Sequence, residues 1–195
     1  MPEYRVRLDR FDNGWYRPGR SSLVCALWFF FGLPVLRSAW MPFSSVRCWL
    51  LRAFGARVGG GVVIKPGVRV KYPWRLEIGE HAWVGEDAWI DNLEQVTIGA
   101  HACVSQGVYL CTGNHDWSDP AFGLIVKPIT IGDCAWVGAR ATVCPGVKVG
   151  EGAIVTAGGV AMKAVPPYEI HGGNPAEFVR TREIGPGPKG RTGAP

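Results

Sequence analysis

His115 sits within Cys111–Lys127, CTGNHDWSDPAFGLIVK, among polar and aromatic neighbours. An imidazole with a pKa of about 6.5 can take a proton from a hydroxyl at neutral pH and hand it on, so His115 is the candidate general base. The alternative is a turn histidine that only caps a backbone group. Asn114 and Asp116 have the chemistry to orient the ring or bind hydroxyls, and also the chemistry of turns. Trp117 offers a flat face for a sugar ring or a staple for the loop. Asp91 and Asn92, in IDNLEQV, are a second polar pair that could assist His115 or hold an acceptor; an Asx turn is the alternative. No cysteine lies beside His115 in a recognisable nucleophile motif.

These residues interrupt a regular pattern. Val58, Ile64 and Val70 fall six residues apart, as do Ile78, Val84 and Ile90, then Ile98, Val104 and Leu110. After the interruption come Ile131, Val137 and Val143, then Val149, Val155 and Ala161. Helices need spacings of three and four, and strands need two. A period of six suits a short strand plus a tight turn, three such units making one triangular coil. Each coil buries its aliphatic column only by stacking on the next. Glycine often follows the aliphatic, as at Gly79, Gly85 and Gly138, and is expected there for the positive φ of a turn. The expected architecture is all-β: a parallel β-helix of about five coils over 58–165, with loop 111–128 protruding. Residues 1–57 form an N-terminal arm and apolar helices, and 166–195 a C-terminal cap and basic tail.

Composition narrows the class. The 195 residues carry 47% hydrophobic side chains, 27 glycines and a net charge of +5, enough for one domain with a sizeable core. No basic stripe interleaved with aromatics and no nucleic-acid motif appears, so no nucleic-acid partner is expected. The six cysteines form no CxxC pair and read as free thiols of a cytoplasmic protein. The apolar run Leu23–Leu36 is too short and too broken by Gly32 and Pro34 to span a bilayer. Ser21 or Ser22 can cap a first helix and Ser44 a second. The second is expected to bury Val46, Trp49, Leu50 and Phe54, with Arg47 and Arg52 off that face. Both helices pack on the repeat, or residues 22–55 make a peripheral contact at the inner face of a membrane.

The stretches IGEHAWVGEDAWI, VTIGAHACVSQGVYL and ITIGDCAWVGARATVCPGVKVGEGAIVTAGGV resemble the hexapeptide-repeat acyltransferases. GNHDWSDPAF and GGNPAEFVR resemble the sugar O-acetyltransferase branch, and FDNGWYRPGRS resembles the colanic-acid biosynthesis type. The resemblance implies a left-handed coil, where the general rule for crossovers would favour the right-handed one. It also implies a homotrimer, acetyl-CoA as co-substrate, His115 as base, and an acceptor site between subunits. Trp136 then flanks the thiol end of the donor, and Gly138, Ala139, Ala157 and Gly158 let the pantetheine arm approach. Lys163 and Arg180, with Arg182, Arg140 or Lys148, would meet the CoA phosphates. The acceptor implied is a sugar or lipid-linked glycan of surface polysaccharide; a small sugar, serine or an antibiotic, or a non-catalytic trimeric scaffold, stands as the alternative. Gly85 replaces the asparagine of that branch, so its acceptor contacts do not carry over. His81, His101 and Cys134 occupy equivalent places in successive coils, a pattern that could bind zinc. The metal-binding relatives place a further histidine after the one matching His115, and this loop has none, so no metal is expected.

Overall fold

A computed structural model describes residues 5–185. The ends of the expected arm and tail, 1–4 and 186–195, lie outside them. Three parallel sheets form the faces of a triangular prism. The first sheet holds Arg57–Val58, Leu76–Ile78, Val96–Ile98, Ile129–Ile131 and Lys148–Val149. The second holds Val63–Ile64, Trp83–Val84, Cys103–Val104, Trp136–Val137, Ile154–Val155 and Glu169–Gly172, with Glu177–Thr181 antiparallel at its edge. The third holds Arg69–Val70, Trp89–Asp91, Tyr109–Cys111, Thr142–Val143 and Val160–Ala161. Five complete coils result, and a partial sixth closes on Val149 through Val165.

The register follows the aliphatic columns. Ile78 pairs with Ile98, Val84 with Val104, and Ile90 with Leu110. Across the insertion, Ile98 still pairs with Ile131. These side chains are essentially inaccessible to water and form one continuous core with Ala82, Ala102, Ala135 and Ala153.

The glycine after each aliphatic does a different job from the expected one. Gly79, Gly85, Gly99, Gly132, Gly138 and Gly150 are not among the positive-φ residues. A Cβ on Gly132 would meet Glu151 N at 2.6 Å, and one on Gly138 would meet Ala157 N at 2.5 Å. Glycine is needed there because the next coil's backbone passes at contact distance. The positive φ falls two residues later, at His81, Asp87, His101, Cys134 and Arg140, with φ between 55° and 58°.

The apolar segment forms one helix with an irregular centre: α1 (Ser22–Leu27), a wide turn Trp28–Gly32, and α2 (Leu33–Arg37). Ser21 caps it by accepting from Val24 N. Pro34 has no N–H to give, and Leu33 N reaches back five residues to Trp28 O, the wider register that absorbs the proline. The Trp28 ring fills the space beside Gly32, and its indole N–H donates to Val70 O at 3.0 Å, tying the helix to the first coil.

In α3 (Ser44–Ala53) the buried face is Arg47, Cys48, Leu50 and Leu51, rotated from the expected one. Arg47 is 1% exposed and donates to the carbonyls of Leu36 and Ser38 at the end of α2 and of Met41 just beyond it. Trp49 points outward. Ser44 does not cap; its hydroxyl accepts from Ile64 N and donates to Val62 O. Spacing alone put arginine outside, but a cluster of unsatisfied carbonyls outweighs the cost of burying it.

Candidate active site

Residues 111–128 leave the third sheet after Tyr109–Cys111 and re-enter the first at Ile129. Within them Gly113–His115 pairs antiparallel with Leu124–Val126, so the insertion is a hairpin and His115 faces Leu124 across it. Thr112, fully buried, roots the hairpin: its hydroxyl donates to Asp91 O at 2.9 Å and accepts from Glu94 N. At the far end, Asp116 Oδ1 accepts from Ser118 N and from the Ser118 hydroxyl, and Asp116 N donates to Gly123 O. Those Ser118 hydrogen bonds hold the Asp116 carboxyl below its ordinary value of 3.8.

His115 is held on three sides. Its ring stacks on Phe122, centroids 4.3 Å apart and planes at 8°, and Phe11 of the arm lies 5.5 Å away. Nδ1 is 2.9 Å from Phe122 O. A carbonyl only accepts, so Nδ1 carries the proton and Nε2 keeps its lone pair. Nε2 has no hydrogen-bond partner among the described residues. The ring is thus oriented with its basic nitrogen free.

Of the other acceptor-side candidates, Asn114 accepts from His115 N through Oδ1, and Trp117 stands 82% exposed at the tip. Asp116 is turned to the tip turn rather than to the ring. Asp91 lies one coil earlier at the same corner, its carboxylate 3.0 Å from Lys71 Nζ and accepting from the Tyr109 hydroxyl at 3.2 Å. Burial, with Cys111 and Asp91 beside it, pushes the Tyr109 phenol well up, so it stays a donor. Asn92 has no free polar group to offer a ligand. It is fully buried, its amide oxygen accepting from Tyr72 N and its nitrogen donating to the carbonyls of Tyr72 and Arg75. It clips one coil's corner to the next.

The donor-side candidates fall elsewhere. Trp136 lies half-exposed on the second sheet, its indole N–H donating to Ser105 Oγ at 2.8 Å. With Ile154, Ile170, Phe178 and Arg180 it lines a groove of about 870 Å³. Gly138, Ala139, Ala157 and Gly158 follow at the corner between second and third sheets. Lys163 follows Val160–Ala161 at the corner that carries the hairpin, apart from Arg180. Arg182 is spent on the carbonyls of Cys134 and Gly152. The rings of His81 and His101 stack at 5.2 Å rather than converge on a point, and no metal-sized cluster of three acidic, histidine or cysteine side chains occurs among the described residues. All six cysteines are free thiols.

Beside His115, sequence reasoning missed a cavity of about 460 Å³ lined by Phe11, Asn13, Tyr16, Lys71, Tyr72, Leu93 and Leu124. The arm crosses to it by long-range bonds: Tyr16 hydroxyl to Leu93 O, Arg7 N to Pro120 O, and Trp74 indole to Pro18 O. Contacts between residues more than fifty apart leave no periodic trace.

No protein-family model matches the chain. It is 40% identical over 166 residues, 84% of this chain and 90% of the relative, to "Putative colanic acid biosynthesis acetyltransferase WcaF" of Escherichia coli K12. The chain belongs to the hexapeptide-repeat acetyltransferases. This acetyltransferase shares its left-handed β-helix with the hexapeptide-repeat acetyltransferase VCA0836 of Vibrio cholerae, at TM-score 0.75 and 24% identity, covering 83% of this chain and 92% of that one. A galactoside acetyltransferase solved with coenzyme A superposes at TM-score 0.70 and 25% identity, covering 76% of each chain.

Proposed function

We propose that this acetyltransferase moves an acetyl group from acetyl-CoA to a sugar hydroxyl during surface-polysaccharide assembly. The observation that carries the chemistry is His115, with Nδ1–H committed to Phe122 O and Nε2 free. In the proposed reaction Nε2 takes the acceptor's hydroxyl proton as that oxygen attacks the thioester carbonyl. A backbone N–H of the donor groove stabilises the oxyanion, and the imidazolium returns the proton to the departing thiolate. No acyl-enzyme is needed. The relationship to the colanic-acid protein supports a polysaccharide acceptor.

The donor reading is supported by the groove of about 870 Å³ beside Trp136, with Arg180 at its wall for phosphate, and by the backbone exposed at Ala157 and Gly158; Gly138 lies buried under the next coil and offers no approach. Hairpin and donor corner stand at opposite ends of the third sheet's strands, four or five residues or roughly 15 Å apart at about 3.3 Å per residue. A homotrimer whose neighbouring chains bring the two together is therefore part of the proposal. So is a division of labour in which 58–165 carries the chemistry, 1–57 the acceptor side and 166–195 the donor cap.

His115→Ala is expected to lower acetyl transfer by about a hundredfold or more, with CoA binding retained. Release of free thiol against a panel of sugars and nucleotide sugars, beside a CoA titration, measures both. Unchanged turnover would remove His115 from the role.

A further inference from the structure

Three grooves adjoin on the acceptor side. One of about 780 Å³ lies between Phe29, Phe30 and Leu33 and the coil corner at Pro66 and Gly67. A second, of about 510 Å³, shares Phe29, Phe30 and Leu33, adds Trp28 from the same helix, and is walled on the third-sheet side by Val70 and Trp89. At its end stand Arg69, Lys71 and Asp91. The third is the cavity beside His115, and Lys71 and Tyr72 line both it and the second groove. The trough is apolar on its helix side up to Arg37 and carries Glu86 and Asp87 on its coil side; it adjoins the charged junction, and the third cavity reaches the candidate base through Phe11, whose ring lies 5.5 Å from that of His115. At the junction the Arg69 guanidinium lies 4.5 Å over the Trp89 ring, and Lys71 Nζ is 3.0 Å from Asp91 Oδ1. Two cations face one carboxylate there.

The helical segment that supplies one wall of the trough also exposes aromatic side chains. Phe30, Phe31, Trp40, Phe43 and Trp49 are each between 64% and 97% exposed. Residues 1–57 hold nine arginines against three acids, while the remainder holds twelve basic residues against thirteen acidic. The net positive charge of the chain thus lies in its most apolar segment. Among the described residues no helix is long and apolar enough to cross a membrane. Exposed aromatic side chains beside the groove, Arg37 in its lining and the net positive charge of the segment match an anionic bilayer interface. A second copy meeting the same face would set like charges opposite each other.

We propose that the trough holds the lipid of an acceptor glycan carried on a lipid phosphate. The hydrocarbon chain lies along Phe29, Phe30 and Leu33, the phosphate meets Arg69 and Lys71, and the attached sugar enters the cavity beside His115. The exposed aromatic side chains rest on the membrane that supplies the lipid. This rests on His115 as the transfer base and adds the substrate class and its route.

Dodecyl phosphate below its micellar concentration is the probe, titrated calorimetrically into the full chain, with inorganic phosphate and dodecyl maltoside as references. Binding at least tenfold tighter than either reference is expected. Arg69→Ala/Lys71→Ala should weaken it tenfold or more, and Leu33→Glu should abolish it. Phe30→Ser, a change at an exposed side chain, serves if Leu33→Glu does not fold. Flotation with vesicles of three parts phosphatidylglycerol to seven of phosphatidylcholine should carry the protein, and phosphatidylcholine alone should not. Equal binding of dodecyl phosphate and inorganic phosphate, or indifference to these substitutions, overturns the proposal. So does a change in sedimentation of Phe30→Ser without a change in lipid binding, which would assign the face to a second copy. Binding is read without turnover, so its absence sinks this inference and leaves the His115 reading to its own assay.

Discussion

The imidazole of His115 is set by one backbone carbonyl, Phe122 O, and by two aromatic rings from different parts of the chain. Its residue type and setting were legible in GNHDW; the partner that selects its tautomer was not, because that partner returns from the other strand of the hairpin. Asp116 shows the converse. Beside a histidine it reads as an orienting carboxylate, yet its acceptors serve Ser118 and shape the tip. Because Ser118 holds its pKa below 3.8, the ionised form is favoured in the folded tip. That contribution is present above the unfolded value and is lost as pH falls through the lower folded value. The fluorescence of neighbouring Trp117, read as the difference from a Trp117→Phe variant, should therefore show an acid transition below about pH 4. Asp116→Asn should remove that acid transition; a transition of the same size in the variant would assign it to another group.

At the scale of the element, the coil is defined by what lies directly above it. The aliphatic positions were readable because a buried column must repeat with the coil, and Ile78, Ile98 and Ile131 keep register even across the hairpin. The glycines were visible but misassigned, since positive φ and close backbone approach both select glycine and differ only in the folded stack. Gly132→Ala places a Cβ 2.6 Å from Glu151 N, which forces two coils apart and should cost about 1–3 kcal/mol. Gly60→Ala, with nothing within 4 Å and an ordinary φ, should be close to neutral. Denaturant unfolding of the two variants separates the explanations; equal effects would contradict the packing account. The rotation of α3 teaches the same lesson, because Arg47 is drawn inward by carbonyls that exist only once α2 ends beside it.

For the whole molecule, the separation of the His115 corner from the Trp136 groove makes the quaternary arrangement testable by mixing. His115→Ala chains supply an intact proposed donor groove, and Ala157→Trp chains, obstructed at the exposed corner proposed for the donor, supply an intact histidine. Co-assembled in equal amounts, they should recover about a quarter of wild-type turnover if each site is shared between neighbours. Recovery close to zero would place the whole site in one chain.

The sequence by itself determined the repeat, the place of its interruption and the histidine proposed as the base. Each of these is a local or strictly periodic property, and a period of six survives in the chain as written. Only the tertiary structure decided which nitrogen of His115 is free, that Asn92 is a buried clip, that Arg47 lies inside, and that the arm, α1 and the third sheet enclose adjoining grooves. Those outcomes depend on contacts between residues far apart in the chain, where unsatisfied polar groups and close backbone approach, rather than spacing, set the lowest free energy.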